Sequence, residues 1–330
     1  MINKQKFKII LLIAGFIIFC ALIYRVGPTK LYHHLYILKW KLFLLLLPYI
    51  LVYILDTLGW KYAFKENSTN FKNLFMVRLA GESLNMIIPS AYFAGEPVKA
   101  YFLKRYNIPM VDGIASIVIS KAIMIITQIL FVMFGVVFLL FKSNISGFNL
   151  ISSIAITLLG VPLIMFIIFI QKRGIFSFLL KILRMLRIRI RYIEERANRL
   201  RELDERIFQF YSYNKKRFFI SFAFFFLGWI AGMIEVFLIL YLLGVPIDYL
   251  SIYIIESLST AAKGITSFIP GSVGGQEGGI IMIFITLKLS VGIALTFAIL
   301  RRLRELIWIA AGLFILSRLE WMIAESPIKE

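Results

Sequence analysis

The chain has 330 residues, 60% of them hydrophobic, and a mean hydropathy of +0.87, whereas soluble domains carry about 45–50% apolar residues; a water-soluble fold is excluded. Its 37 basic and 18 acidic residues leave a formal charge of +19. Fourteen of the basic residues lie in 171–217 against five acidic ones, the pattern of a loop held on the cytoplasmic side against anionic headgroups, so no nucleic-acid partner is expected.

Apolar runs long enough to cross a hydrocarbon core of ~30 Å, which takes roughly 20 helical residues, predict six spans. The first, 7–24, begins among Lys4, Lys6 and Lys8 as a signal peptide would. It is longer than the apolar part of such a peptide and is followed by Tyr24 and Arg25 where small residues belong, so it reads as an uncleaved span. Cys20 is the single cysteine, so neither a disulfide nor a thiolate metal site can form. His33 and His34 are loop neighbours with no carboxylate or cysteine at ligand spacing, and no metal is expected. The second span, 42–60, carries Asp56. An irregular stretch, GESLNMIIPSAYFAGEPVKAYFLKR, fills 81–105, and the third span, 117–141, carries Lys121 and Gln128 on one face.

The fourth span, 150–170, runs into the basic loop 171–217, where Leu179, Leu183, Leu186 and Ile190 recur at helical spacing and Arg184, Arg187 and Arg191 take another face. That pattern predicts an interfacial amphipathic helix. Glu195/Arg199 and Glu202/Arg206 are i,i+4 pairs suited to a solvated helix, so the loop reads as a connector at the membrane surface. The fifth span, 218–243, contains Glu235 and a Phe-rich run, Phe222 to Phe226, that reads as lipid-facing. A second irregular stretch, KGITSFIPGSVGGQEGGIIMIF, fills 263–284, and the last span, 292–319, carries Arg301, Arg302 and Glu305. Spanning barrels alternate polarity over about ten residues; these runs are continuously apolar. The fold class is therefore all-α, one polytopic membrane domain over 1–330. With the basic loop inside, Lys104, Arg105 and both termini fall on the cytoplasmic side, while Arg25, Lys30, Lys39 and Lys41 face outward against the usual bias.

The two irregular stretches match. In each an apolar pair precedes a proline and a glutamate follows seven residues later: Pro89 to Glu96, and Pro270 to Glu277. The register extends to Lys121 and Arg302, each 25 residues beyond its glutamate, and back to Asp56 and Glu235, 33 and 35 residues before the prolines. Proline removes a donor and disfavours helix at its predecessor, and glycine permits turns, so Pro89, Gly95, Pro270, Gly271, Gly274 and Gly275 predict two broken-helix hairpins. Irregular backbone survives at membrane depth only where protein or a water-filled cavity satisfies it. Three crossings separate the hairpins, so they would enter from opposite sides, with repeat halves of about 42–141 and 218–319. An inverted pair of broken helices is the usual pointer to a transporter site.

Polar stripes run along the half-helices: Arg78, Glu82, Asn85 and Pro89 on one, Glu256, Thr260, Lys263 and Ser267 on the other, while Glu96 shares a face with Lys99. Each charge at a helix centre costs ~2.5–3.5 kcal/mol on insertion scales, so these groups must pair or be hydrated. A pair such as Arg302 with Glu305 could equally be a structural clamp, and Gly271, Gly274, Gly275, Gly278 and Gly279 could serve close helix packing. Packing alone does not require the charges beside them. The glycine run lacks the Gly-Lys-Ser/Thr end of a phosphate loop.

The segment NMIIPSAYFAGEPVKAYFLKR resembles the first signature of the lysylphosphatidylglycerol synthase/flippase membrane domain, and FIPGSVGGQEG looks like the second, Pro-Gly-Gly-x-Gly-x-x-Glu. The likeness runs from Asp56 and Trp60 to the Arg301/Arg302 helix, with departures at Ala94, Lys99, Lys121 and Ser272. It implies two inverted re-entrant hairpins and a lipid-translocating site at Glu82, Asn85, Glu96, Lys99, Glu277, Arg301 and Arg302. The chain ends at Glu330 without the aminoacyl-transferase domain of bifunctional members, so the resemblance implies the translocating half only.

The leading expectation is a flippase in the cytoplasmic membrane, without a cofactor, that moves an anionic or zwitterionic lipid headgroup through a polar cavity. Lys99, Lys121 and Arg302 would neutralise phosphate, and Glu96 and Glu277 would balance them or meet an amine. Two rival readings stay open: a membrane-embedded enzyme using acids such as Glu82 and Glu96, though no nucleophile-base pair or metal cluster is visible, and a non-transporting partner of a lipid-linked glycan pathway. A homodimer, or a complex with a lipid-biosynthesis enzyme or glycosyltransferase, is compatible with each.

Overall fold

A computed structural model describes residues 39–66, 69–88, 90, 92–142, 147–185, 197–267, 269, 272 and 274–325. The first predicted span, Cys20, the histidine pair, and Pro89, Pro270 and Gly271 lie outside them. Among the described residues there are eleven α-helices and no strand. A 3₁₀ segment, Lys39–Leu46, leads into α1 (Leu47–Tyr62), followed by α2 (Phe71–Ile87), α3 (Glu96–Arg105), α4 (Met110–Lys142), α5 (Gly147–Arg173) and α6 (Ile175–Met185). Then come α7 (Ala197–Tyr213), α8 (Lys215–Leu242), α9 (Tyr249–Ile265), α10 (Gly275–Thr286) and α11 (Val291–Glu325).

Three described helices are long and apolar enough to cross a membrane, within Phe43–Tyr62, Met110–Lys142 and Lys215–Leu242; α5 and α6 add a fourth if taken together across their 91° bend. At 1.5 Å per residue, the 33 residues of α4 outreach the hydrocarbon core. The last predicted span is the 35-residue α11, which carries four charges at 301–305 and is not among these three. The chain packs as two compact units: Met1–Leu51, Met76–Val98 and Ala231–Glu330 form one, Val52–Phe75 and Lys99–Ile230 the other.

In the first unit α9 packs on α10 and α10 on α11. Leu45, Val236, Ile239, Ile252, Ile280 and Phe297 contribute to its core, and the Phe284 and Phe297 rings lie 5.2 Å apart. α9 starts cleanly because the Asp248 side chain accepts from the Ser251 N–H and hydroxyl, both at 3.0 Å. Gly279 lets α10 close on the Ala262 methyl of α9, and Gly275 lets it close on Thr266.

In the second unit, indole donors tie helices together: Trp60 to the Ser116 hydroxyl at 3.3 Å and Trp229 to the Thr127 hydroxyl at 3.1 Å. The Ser221 hydroxyl donates to the Gly59 carbonyl at 2.8 Å, and Arg217 donates to the Lys61 carbonyl at 3.2 Å, filling an orphan acceptor in the last turn of α1. Two expectations are corrected here. The Phe-rich run is not simply lipid-facing: Phe225 is fully buried against Gly59, where an added methyl would meet its ring at 2.9 Å, and Phe226 packs on Phe131. Nor is the basic loop only a solvated connector. α7 packs on α4, α5 and α6, burying Leu203, Asp204, Ile207, Phe210 and Tyr211, and Arg206 pairs with Asp112 of α4 at 3.4 Å rather than with Glu202. Glu195, of the other anticipated pair, lies outside the described residues.

Candidate functional site

Both irregular stretches fold as a helix, a break and a second helix. In the first, α2 ends at Ile87 and α3 begins at Glu96. Asn85 bridges the break: its carbonyl oxygen accepts from the Gly95 N–H at 2.7 Å and its amide donates to Glu96 at 3.1 Å. This supplies the partner that the first turn of α3 would otherwise lack. Gly95 rests directly on the Gly81 backbone, where no Cβ fits. In the second, the Ser272 hydroxyl faces the carbonyls of Lys263 and Thr266, each at 3.3 Å, and so covers acceptors left open where α9 stops. Gly274 has φ +86° and donates its N–H to Glu277 Oε2 at 2.7 Å, which starts α10. Each break also holds a non-glycine residue in the left-handed region: Tyr92 at +63° and Ser272 at +52°.

Facing the second break, α11 presents Arg301, Arg302, Arg304 and Glu305, all buried. Helical spacing puts 301, 304 and 305 on one face with 302 beside 305. Arg304 grips Glu235 through Nε at 2.7 Å and Nη2 at 3.1 Å. Arg301 bonds Glu256 and lies 3.4 Å from Glu235. Arg302 bonds Glu277 and, at 3.0 Å, Glu305. Lys263 reaches Glu305 at 2.7 Å, and the Gln276 amide donates to the same carboxylate at 3.4 Å. Four carboxylates thus meet four cations, so the network is neutral although its members sit in low dielectric, which is the condition for holding such charges there. Gly232 makes room for Glu256, whose carboxylate would lie 2.5 Å from any added methyl.

Glu277 is the most exposed carboxylate of the network, its side chain about a quarter accessible against 0–8% for Glu235, Glu256 and Glu305. Beside Arg302 lies a small recess lined by Met86, Tyr92, Lys263, Arg302, Glu305, Leu306 and Ile309. Its walls come from the first hairpin, the second hairpin and α11. Among the described residues no cluster of three metal-ligating side chains occurs; the carboxylates are turned to guanidinium and ammonium groups.

The lysylphosphatidylglycerol synthase transmembrane region is the family whose model matches this chain, over residues 8–312. The chain belongs to that family. Relatives of this family member include a UPF0104 membrane protein of Methanothermobacter thermautotrophicus, 24% identical over 312 residues, covering 89% of this chain and 90% of the relative. No solved structure matches it. The family and its several apolar helices make the protein a multi-pass membrane protein.

Within this lysylphosphatidylglycerol synthase-type chain, the residues singled out from sequence separate into three groups. Glu235, Glu256, Lys263, Glu277, Arg301, Arg302 and Glu305 form one network. Asn85 and Glu96 form a polar pair within the first hairpin, and Glu82 is half-buried one turn before Asn85. Asp56, Lys99 and Lys121 belong to the second unit. There Lys99 is buried with its ammonium 5.8 Å from the Trp60 ring centre, Asp56 is buried where Gly228 leaves space for it, and Lys121 is half-buried on α4. Arg302, not Arg301, lines the recess. Sequence reasoning missed Arg304, Tyr92 and Gln276. Arg304 had a signal, since it stands one helical turn from Arg301 in the same apolar run; Tyr92 and Gln276 had none, because only the fold brings them to the charges.

Proposed function

We propose that the protein is a lipid flippase of the cell membrane, moving a phospholipid or lipid-linked headgroup through the recess between the hairpins while the acyl chains stay in lipid. The observation that carries this reading is the recess itself, where Tyr92 of the first helix break meets Lys263, Arg302 and Glu305. A headgroup phosphate entering it would meet Arg302 and Lys263, cations suited to that anion, and an amine would meet Glu277 or Glu305. No covalent step is part of this proposal.

The lengths of the elements support the accompanying proposal of an inverted repeat, 42–141 against 218–319. α2 and α9 both have 17 residues, α3 and α10 have 10 and 12, and α4 and α11 have 33 and 35. The decisive experiment is movement of fluorescent lipid across liposomes containing the purified protein. Arg302→Ala, Lys263→Met and Glu277→Gln are expected to slow it roughly tenfold or more, as loss of a charge-assisted contact would. Transport by all three at the unmodified rate, with folding intact by circular dichroism, would overturn the assignment.

A further inference from the structure

α5 ends at Arg173, Gly174 takes φ +95°, and α6 leaves at 91° to the end of α5. A side chain at Gly174 would be strained at that φ, and its Cβ would stand 2.8 Å from an Asp204 carboxylate oxygen. Asp204, buried on α7, accepts from the Phe176 N–H at 3.0 Å and the Ser177 N–H at 2.7 Å. Donors in the first turn of a helix lack intrahelical partners; here a carboxylate from another helix supplies them, and it also complements the positive end of the helix dipole. The direction of α6 is therefore set twice, by the backbone at Gly174 and by Asp204.

Taken as the span that the sequence predicts, α5 would set α6, at a right angle to its end, along the membrane plane. α6 has three different sides. Leu180 is buried, Phe178, Leu179 and Met185 are 44%, 49% and 78% exposed, and Ser177 and Lys181 are exposed on a further side. Lys172 and Arg173 stand exposed at the corner, with Arg173 over the Phe169 ring at 4.5 Å. Among the described residues no carboxylate pairs with Lys172, Arg173 or Lys181, while that of Asp204 is taken up by backbone donors. An exposed apolar face bordered by uncompensated cations and lying in the membrane plane fits an anionic lipid leaflet.

We infer that α6 is a docking element for anionic phospholipid: Phe178, Leu179 and Met185 enter the acyl boundary, Lys172, Arg173 and Lys181 meet headgroup phosphates, and Asp204 is the positioning residue that holds the helix flat. This site stands apart from the recess and does not depend on transport. To test it, the full chain carrying Cys20→Ser is labelled with a fluorophore at Leu179→Cys or at Lys181→Cys. Each labelled protein is reconstituted in mixed phosphatidylcholine and phosphatidylglycerol vesicles. Quenching is then measured with aqueous iodide and with either lipid brominated near the headgroup end of its chains.

The Leu179 label is expected to be quenched by brominated lipid and shielded from iodide, with the reverse at Lys181. Brominated phosphatidylglycerol should quench the Leu179 label roughly threefold more than brominated phosphatidylcholine at equal mole fraction, and the combined changes Lys172→Gln, Arg173→Gln and Lys181→Gln should abolish that preference. Asp204→Ala should raise iodide access at Leu179. Iodide quenching of the Leu179 label in the protein that retains Asp204 would overturn the proposal. So would equal quenching by the two lipids, or self-quenching between Leu179 labels, which would put a second copy on this face.

Discussion

Glu235 is fully buried and accepts two bonds from Arg304, with Arg301 at 3.4 Å. Replacing its carboxylate by an amide leaves two guanidiniums short of a counter-charge at a depth where water cannot help. Removing one partner of a buried pair costs about 3–5 kcal/mol, so Glu235→Gln should lower the unfolding temperature in detergent by an amount corresponding to that loss. Adding Arg304→Met to Glu235→Gln should recover much of it, because the stranded charge is gone. Arg206→Gln, which breaks a half-exposed pair with Asp112, should change stability by less than about 1 kcal/mol. Equal shifts for Glu235→Gln and Arg206→Gln would mean that the network is hydrated rather than buried. Glu235 itself was legible as a lone acid in an apolar run. Its partner was not, because the repeat register points from Glu277 to Arg302 and says nothing of Arg304, which only the rotation of α11 brings onto Glu235.

At the scale of elements, helix breaks were readable and helix contacts were not. Proline and glycine predict the two hairpins by what they forbid and permit on the backbone; among the described residues α3 starts directly after Gly95 and α10 directly after Gly274. The charge pairs of 195–206 predicted a solvated helix, yet pair spacing cannot say what covers the other face; for α7 it is α4, α5 and α6. Phe225 was misread for the same reason, since a phenylalanine facing lipid and one facing Gly59 are identical in sequence. The α5–α6 corner is the element most open to a single change. Gly174→Ala places a methyl in the left-handed region and against Asp204, so a loss of about 1–3 kcal/mol is expected from strain and overpacking. Limited proteolysis within 171–217 should accelerate in parallel. Wild-type stability and wild-type cleavage would show that the corner bends for another reason.

For the whole molecule, an inverted repeat has the two hairpins enter from opposite sides of the membrane, and the chain carries a built-in experiment because Cys20 is its single cysteine. Phe93 beside the first break and Ile265 beside the second are both well exposed. If the halves are an inverted repeat, an impermeant maleimide added outside sealed, uniformly oriented vesicles should label only one of Phe93→Cys and Ile265→Cys, each in a Cys20→Ser chain, and reagent trapped inside should label only the other. The argument comes from counting crossings: an odd number between two hairpins of like sequence reverses the second with respect to the first. A neutral network of four acids and four cations suits membrane depth, since charge balance lets the groups stay dehydrated. Labelling of both positions from the same side would leave an even number of crossings between the hairpins, and the two breaks would then open to one compartment and could not hand a headgroup across the membrane.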